Sequence, residues 1–523
     1  MQVDEKTVAA IVEQVLKNMN LEAALGGGSL ASSGDGRAAG GNGRPAAPAP
    51  VVGTGYGGMI EGGFASRTAA AAPQAPAAPR RVPSVAEAGV DGIFAEVHQA
   101  VEAAALAQKQ LIRLSKEKRE RFIQAIRQAS LEHSAALARM AIEETKIGRY
   151  EDKITKNDNV AKLTPGTEDI EPIALMGDRG LTLVEPAPYG VICAITPVTN
   201  PTSTVINNAI SMIAAGNSVV FCPHPAAFQC TTETIRILHR ALVAAGAPPN
   251  LIVAVNRSTM EITQEIMRHP KVAMISATGG PGLVKAALAS GKKTISAGPG
   301  NPPVIVDESA DIDKAAQAIV DGAAFDNNLP CIAEKVCIVL DSMADDLIRA
   351  LRRSGAYEVT GPELDAVTAI TVVNGQLNRE FVGKDAAVIL RAAGIKAGDG
   401  VRLIIMQVPM THPLVEHEQL MPVLPIVRVK DFASAVAVAV EVEHGFGHTA
   451  VIHSHNLDHI TEFAQAINTT IFVVNGPSYA GVGVDGEGPC TMTVAGPTGE
   501  GVTTPRSFTR QRRFSTSRSL NYV

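Results

Sequence analysis

The chain has 523 residues, a formal net charge of -6, 46% hydrophobic and 19% charged residues, and no tryptophan. This mildly acidic balance argues against broad nucleic-acid binding, and the basic stretch Arg506 to Arg518 carries no C2H2, helix-turn-helix or RNP-like pattern that would make it an exception. Six scattered cysteines with no Cys-x-x-Cys pair indicate neither a disulfide scaffold nor a zinc site, and no breaker-free apolar run reaches the ~18 residues of a membrane span.

In chain order, the first unit is small. Val8, Ile11, Val12, Val15, Leu16 and Met19 recur at three- and four-residue spacings and predict an amphipathic helix over residues 1–20. Asp4 is its candidate N-cap, and Lys17 sits in the last turn, where the dipole favours a cation. Such a helix is marginal alone in water and needs a surface to lie against. Residues 21–84 are rich in Gly, Ala, Pro and Ser and read as a flexible linker. An adhesive helix on a long tether is a docking arrangement. The alternative is a helix that folds back on the body, which needs no such tether.

The folded body is expected from residue 85. Residues 91–146 read as helical, and strand-like runs over Thr182 to Thr196 are broken by Pro186, Pro188 and Gly190. A helix over Ser203 to Ala215, a strand over Ser218 to Cys222, a helix over Pro225 to Gly246, and strands over Leu251 to Val255 and Val272 to Ile275 follow. This alternation predicts an open α/β sheet with crossover helices, the first domain, over residues 85–300. A second α/β domain is expected over 301–493. Its strand candidates are Val304 to Val306, Lys335 to Leu340, Leu403 to Met406, Pro425 to Val429 and Ile471 to Asn475. Residues 494–523 read either as an edge strand for a neighbouring subunit or as a frayed tail.

Several positions carry chemistry. Cys331 follows Pro330, sits among polar residues and feeds an apolar strand. Such a junction presents a thiol to backbone N–H groups, which lower its pKa and stabilise a developing oxyanion. Cys337, within Val336 to Val339, reads as a core residue. Asn200 follows a strand at the C-terminal edge of a sheet, where α/β proteins place binding loops. Its amide is a candidate oxyanion donor, and an Asn-Pro turn is the alternative. Thr278, Gly279 and Gly280 lie between a strand and a helix, so their backbone is placed to approach a pyrophosphate. No Walker A or Gly-x-Gly-x-x-Gly sequence is present.

Together these segments resemble the aldehyde dehydrogenase superfamily, and within it the CoA-acylating enzymes of bacterial microcompartments that oxidise acetaldehyde or propionaldehyde. The resemblance runs from about residue 90 to the C-terminus, and the helix and linker resemble that group's encapsulation extension. It implies a Rossmann-like cofactor domain, an α/β catalytic domain and a small β oligomerisation element. It implies that Cys331 attacks the aldehyde, that Asn200 and the Cys331 N–H hold the oxyanion, and that Thr278, Gly279 and Gly280 meet the cofactor pyrophosphate. Glu418 matches the glutamate that fixes the nicotinamide ribose, although its surrounding motif is altered, and Thr196 and Pro223 are assigned to the same cofactor site.

Hydrolytic members carry a water-activating glutamate where this chain has Ala297. A thiol attacks a thioester unaided more readily than water does, because its pKa lies much closer to neutral. The expected reaction is therefore oxidation of a short-chain aldehyde to acyl-CoA, with NAD (NADP is also open) as acceptor, coenzyme A as co-substrate, and no metal. The expected setting is a microcompartment lumen in a bacterial cytoplasm. The expected contacts are a shell protein bound through residues 1–20 and a homo-oligomer, dimer or tetramer, with neither nucleic acid nor membrane. Cys222 stands where many hydrolytic members have Lys and is expected to line the pocket. Three other readings stay open: a hydrolytic enzyme that recruits Glu418 as base, a non-catalytic scaffold for shell proteins, and, more distantly, a phosphorylating-type reductase for acyl phosphates.

Overall fold

The computed structural model describes residues 89–521; the helix expected over 1–20 and the linker over 21–84 lie outside the described residues. From Ile93, six parallel strands form one sheet in the order β1, β6, β5, β4, β7, β8. They are β1 (Ile93–Phe94), β4 (Val191–Ile195), β5 (Ser218–Cys222), β6 (Ile252–Val255), β7 (Val272–Thr278) and β8 (Lys293–Ala297). Every residue of β4, β5 and β6 is buried. Continuous Val/Ile runs are what parallel strands covered on both faces require. The sheet reverses its strand order beside β4, with β5 on one side and β7 on the other, and such a switch point opens a crevice outside the C-terminal strand ends.

The covering helices are α1 (Val97–Leu111), α2 (Lys116–Thr145), α3 (Tyr150–Leu163), α4 (Pro201–Ala214), α5 (Phe228–Ala244), α6 (Met260–Arg268) and α7 (Pro281–Leu288). Helix α4 is buried along its whole length. Its Asn207 is satisfied by Thr164 Oγ1 and Cys490 O as acceptors and by Thr491 and Met492 as donors, which ties a C-terminal loop to the helix. Helix α3 has no counterpart in the sequence reading. Its buried face carries Lys153, Lys156 and Asn157 where a periodicity argument looks for apolar residues.

A second sheet of seven parallel strands has the order β11, β12, β13, β10, β9, β14, β15. These are β9 (Pro303–Val306), β10 (Val336–Leu340), β11 (Ala356–Val359), β12 (Leu403–Gln407), β13 (Val423–Val429), β14 (Thr449–His453) and β15 (Ile471–Val474). The chain crosses between the two sheets at residues 298–302.

The third sheet is antiparallel and small: β2 (Ile173–Gly177), β3 (Gly180–Pro188) and β16 (Thr509–Ser515). Of the two readings of the C-terminal segment, the frayed tail needs correction, because β16 pairs with β3 of its own chain, from Thr509 opposite Pro188 to Ser515 opposite Thr182, and forms the edge of that sheet. Pro186 and Pro188 fall beyond the end of β2, where β3 has a single neighbour and the missing N–H groups interrupt no second ladder. Among the described residues no helix is long and apolar enough to cross a membrane.

Candidate active site

Three consecutive residues with positive φ lead into Cys331: Asp326 (45°), Asn327 (57°) and Asn328 (65°). Asp and Asn tolerate this left-handed region better than other side-chained residues, yet a run of three holds only if its surroundings over-determine it. They do. Asp326 accepts from the Arg149 N–H at 2.7 Å and from Lys153 and Lys156. Asn327 donates to Gly383 O and Asp385, and Asn328 donates to Ala323 O and Glu334 O. Buried Lys335 closes the turn by donating to Asn328 O at 2.7 Å and Pro330 O at 3.4 Å. Cys331 is thus presented by a loop locked on four sides.

The approach to this loop depends on Gly300. A Cβ there would stand 2.7 Å from Cys331 O and 3.0 Å from the His448 ring, so only glycine lets the crossing segment pass. The next residue, Asn301, donates to Val415 O and Val442 O and pins the same segment to the chain just before Glu418.

Of the six cysteines, Cys331 alone is partly exposed and the other five are buried. Cys222, expected in the pocket wall, instead has its Sγ 3.6 Å from that of Cys193 inside the first sheet.

Cys331 stands where two cavities meet. One is a cleft of about 540 Å³ between the C-terminal ends of β4, β5, β7 and β8 and the segments entering β9, β10 and β13. Its walls include Thr196, Asn200, Pro223, Thr278, Gly279, Gly280, Cys331 and Glu418, so the fold brings all eight candidate residues to one place. The other is a chamber of about 40 Å³ reached by Lys156, Asn200, Phe325, Cys331, Ile332 and Tyr479. Its aromatic wall is the tilted Phe325–Tyr479 pair, with centroids 5.6 Å apart. The chamber is narrowed by these large side chains. Sequence order gives no signal for these walls, because they come from segments about 150 residues apart.

Asn200 is the N-cap of α4, followed by Pro201 in the first turn, but its side chain does not cap the helix. The carboxamide is therefore not spent on the helix and lines the cavities, which is more than an Asn-Pro turn. The cleft also fits a dinucleotide. Gly280 is the N-cap of α7 and has open space where a Cβ would stand. The helix N-terminus favours an anion there. Thr278 Oγ1 is buried and has no hydrogen-bond partner, which leaves a donor at the mouth of the same loop.

The electrostatics correct one expectation. Burial pushes the Cys331 thiol up to about 12, and the Glu418 carboxylate adds to the rise. Lys335 and the N–H groups of Cys331 and Ile332 act to lower it, as expected of a loop junction, but burial prevails. Burial also raises the Glu418 carboxyl above the usual carboxylate range, against Lys335 and a backbone hydrogen bond from Gly300, and pushes Lys335 down to about 8.

Residues 75–484 match the aldehyde dehydrogenase family. The chain belongs to that family. It is 47% identical over 429 residues to the acetaldehyde dehydrogenase (acetylating) of Salmonella typhimurium, covering 81% of this chain and 91% of that one. A crystal structure of Rhodopseudomonas palustris propionaldehyde dehydrogenase with bound CoA and an acylated cysteine superposes with a TM-score of 0.82 at 49% identity, covering 83% of this chain and 100% of that one. The propionaldehyde dehydrogenase of the Clostridium phytofermentans fucose utilisation microcompartment gives 0.81 at 48% identity, with the same coverage. The resemblance read from the motifs is therefore to the right family and, within it, to the acylating enzymes.

For an aldehyde dehydrogenase, the informative position is Ala297. It ends β8, is buried, and lines the cleft. Glu418 is the sole carboxylate among the residues lining the cleft and the chamber. The sequence reading missed Lys156 and gave Lys335 no role. Both are buried lysines, and burial of a lysine has no periodic signature.

Proposed function

We propose that this chain oxidises a short-chain aldehyde to its acyl-CoA, with NAD as hydride acceptor and NADP as a permitted alternative. The observation that carries this reading is a partly exposed Cys331 between the two cavities, with Ala297 where a water-activating carboxylate would stand. Relatives named for acetylating activity and for bound CoA beside an acylated cysteine support it.

The aldehyde enters the chamber. The chamber is narrow, about 40 Å³, which favours a short chain. Cys331 loses its thiol proton to solvent, the thiolate adds to the carbonyl carbon, and the carbonyl π pair moves to oxygen. Asn200 and the Cys331 N–H are the donors for that alkoxide. Thr278, Gly279, Gly280, Thr196, Pro223 and Glu418 would hold the dinucleotide, whose nicotinamide accepts hydride when bound. As the alkoxide re-forms the carbonyl, the former aldehyde C–H pair leaves as hydride and a thioester remains on Cys331. The coenzyme A thiol, losing its proton, attacks the acyl carbon and the Cys331 thiolate leaves. A hydrolytic route would have to recruit Glu418, whose carboxyl pKa is raised by burial, because Ala297 offers no base.

Product identification tests this reading. Aldehyde and NAD with coenzyme A should give acyl-CoA, and without it only about one NADH per active site. Sustained NADH formation without coenzyme A, with carboxylate as product, would favour the hydrolytic enzyme. No turnover at all would favour the scaffold.

The wider setting is proposed on sequence and likeness. Residues 1–20 dock the enzyme to a shell protein inside a microcompartment, as the helix pattern and the microcompartment relative suggest. The antiparallel sheet joins copies of the chain. In support, Ile173 and Leu175 on one face of this sheet and Met176 and Phe514 on the other are each more than half exposed, so neither face is covered within its own chain.

A further inference from the structure

The alkoxide formed on Cys331 needs donors, and a carboxamide offers one end that donates and one that only accepts. Turned by half a rotation, Asn200 would present Oδ1 to the alkoxide and repel it. Helix α4 does not prevent this, since the Asn200 side chain makes no capping bond to it. The restraint comes from α3. Lys156 Nζ lies 2.6 Å from Asn200 Oδ1, and an ammonium can only donate, so this contact accepts the oxygen end and rejects the NH2 end. Nδ2 then donates one hydrogen to Thr199 Oγ1 at 3.1 Å and keeps the second for the chamber, which Lys156, Asn200 and Cys331 all line.

We propose that Lys156 is a positioning residue of the oxyanion site, fixing the Asn200 carboxamide so that Nδ2 donates to the alkoxide on Cys331. This rests on the thiol–aldehyde addition proposed above. The simpler role, neutralising Asp326, is already filled, because Lys153 pairs with the same Oδ2 at 3.2 Å. Lys153 also donates to Thr199 O at 3.3 Å, so the two lysines hold the backbone and the side chain of one dipeptide. Asp326 belongs to the locked loop that presents Cys331. The two oxyanion donors arise from opposite sides of the cleft, and the Lys156–Asp326 pair sets one against the other. Burial lowers the Lys156 pKa to about 8 while Asp326 opposes the fall, so the ammonium persists at neutral pH.

The test is a double-mutant cycle in the full chain, read as the single-turnover rate of NADH formation. Lys156→Met keeps the buried stem and removes the charge. It should slow that rate by about 10–100-fold with little change in aldehyde KM, against about 10²–10³-fold for Asn200→Ala, the range for loss of an oxyanion donor. If Lys156 acts through Asn200, the double variant is no slower than Asn200→Ala alone. Alkylation of Cys331 by iodoacetamide, which forms no oxyanion, should keep its wild-type rate in Lys156→Met. A Lys156→Met rate close to wild type overturns the proposal, as do losses that multiply in the double variant or alkylation that falls in step with turnover. Lys156→Gln carries the same measurements if the methionine variant does not fold. A wild-type chain that makes no acyl-CoA defeats the acylating reading itself; a wild type that does, beside an unimpaired Lys156→Met, defeats this inference alone.

Discussion

The Cys331 thiol, pushed up to about 12, is almost wholly protonated in the free enzyme at neutral pH. Only the thiolate reacts, and far below its pKa the thiolate fraction grows tenfold per pH unit. Iodoacetamide inactivation of the free enzyme should therefore rise about tenfold per unit from pH 7 to 10 without a plateau. A plateau below pH 9 would show a thiolate already formed. Because the Glu418 carboxylate adds to the rise, Glu418→Gln should alkylate faster at pH 8 while its KM for NAD increases. Cys331 was legible in the sequence from Pro330 before it and the apolar strand after it. Its acidity was not, because burial of the loop, which dominates it, and the Glu418 charge that adds to it arise only when distant segments fold together.

Among the elements, the turn over Asp326, Asn327 and Asn328 is the one on which the site depends. Asn328 spends both amide hydrogens on buried carbonyls and holds a φ of 65°. Asn328→Ala leaves two carbonyls without these donors and puts alanine in a left-handed conformation, at a cost of about 2–4 kcal/mol. A smaller shift in the urea midpoint, with kcat retained, would mean the turn does not hold Cys331 in place. The strands and helices with regular apolar patterns were readable from sequence, β5 to the residue. Helix α3 was not, because Lys153 and Lys156 occupy its buried face and remove the apolar stripe that periodicity detects. That face serves the site, so the same choice of residues that gives α3 its role hides it.

At the scale of the whole molecule, the two proposed contacts can each be tested. If the antiparallel sheet joins subunits, Leu175→Glu with Phe514→Glu should shift the sedimentation coefficient toward that of a monomer. An unchanged coefficient would place the subunit contact elsewhere. Deleting residues 1–20 should release the enzyme from shells and leave solution turnover nearly intact, whereas continued shell association would assign docking to the body. The fold class was legible because strand and helix patterns alternate along most of the chain. The partner of β16 was not, because the register that joins it to β3 spans more than 300 residues and leaves no local trace.

The meeting of a broad cleft and a narrow chamber at one sulfur has a consequence for traffic. NAD and coenzyme A both carry an ADP group, and both must reach the partly exposed sulfur of Cys331 where the cleft opens. If coenzyme A enters by the same cleft, the two queue for one berth and the acyl group waits on Cys331 between visitors. A surplus of coenzyme A would then hold the berth against NAD, and competitive inhibition by coenzyme A at varied NAD is the kinetic sign of it.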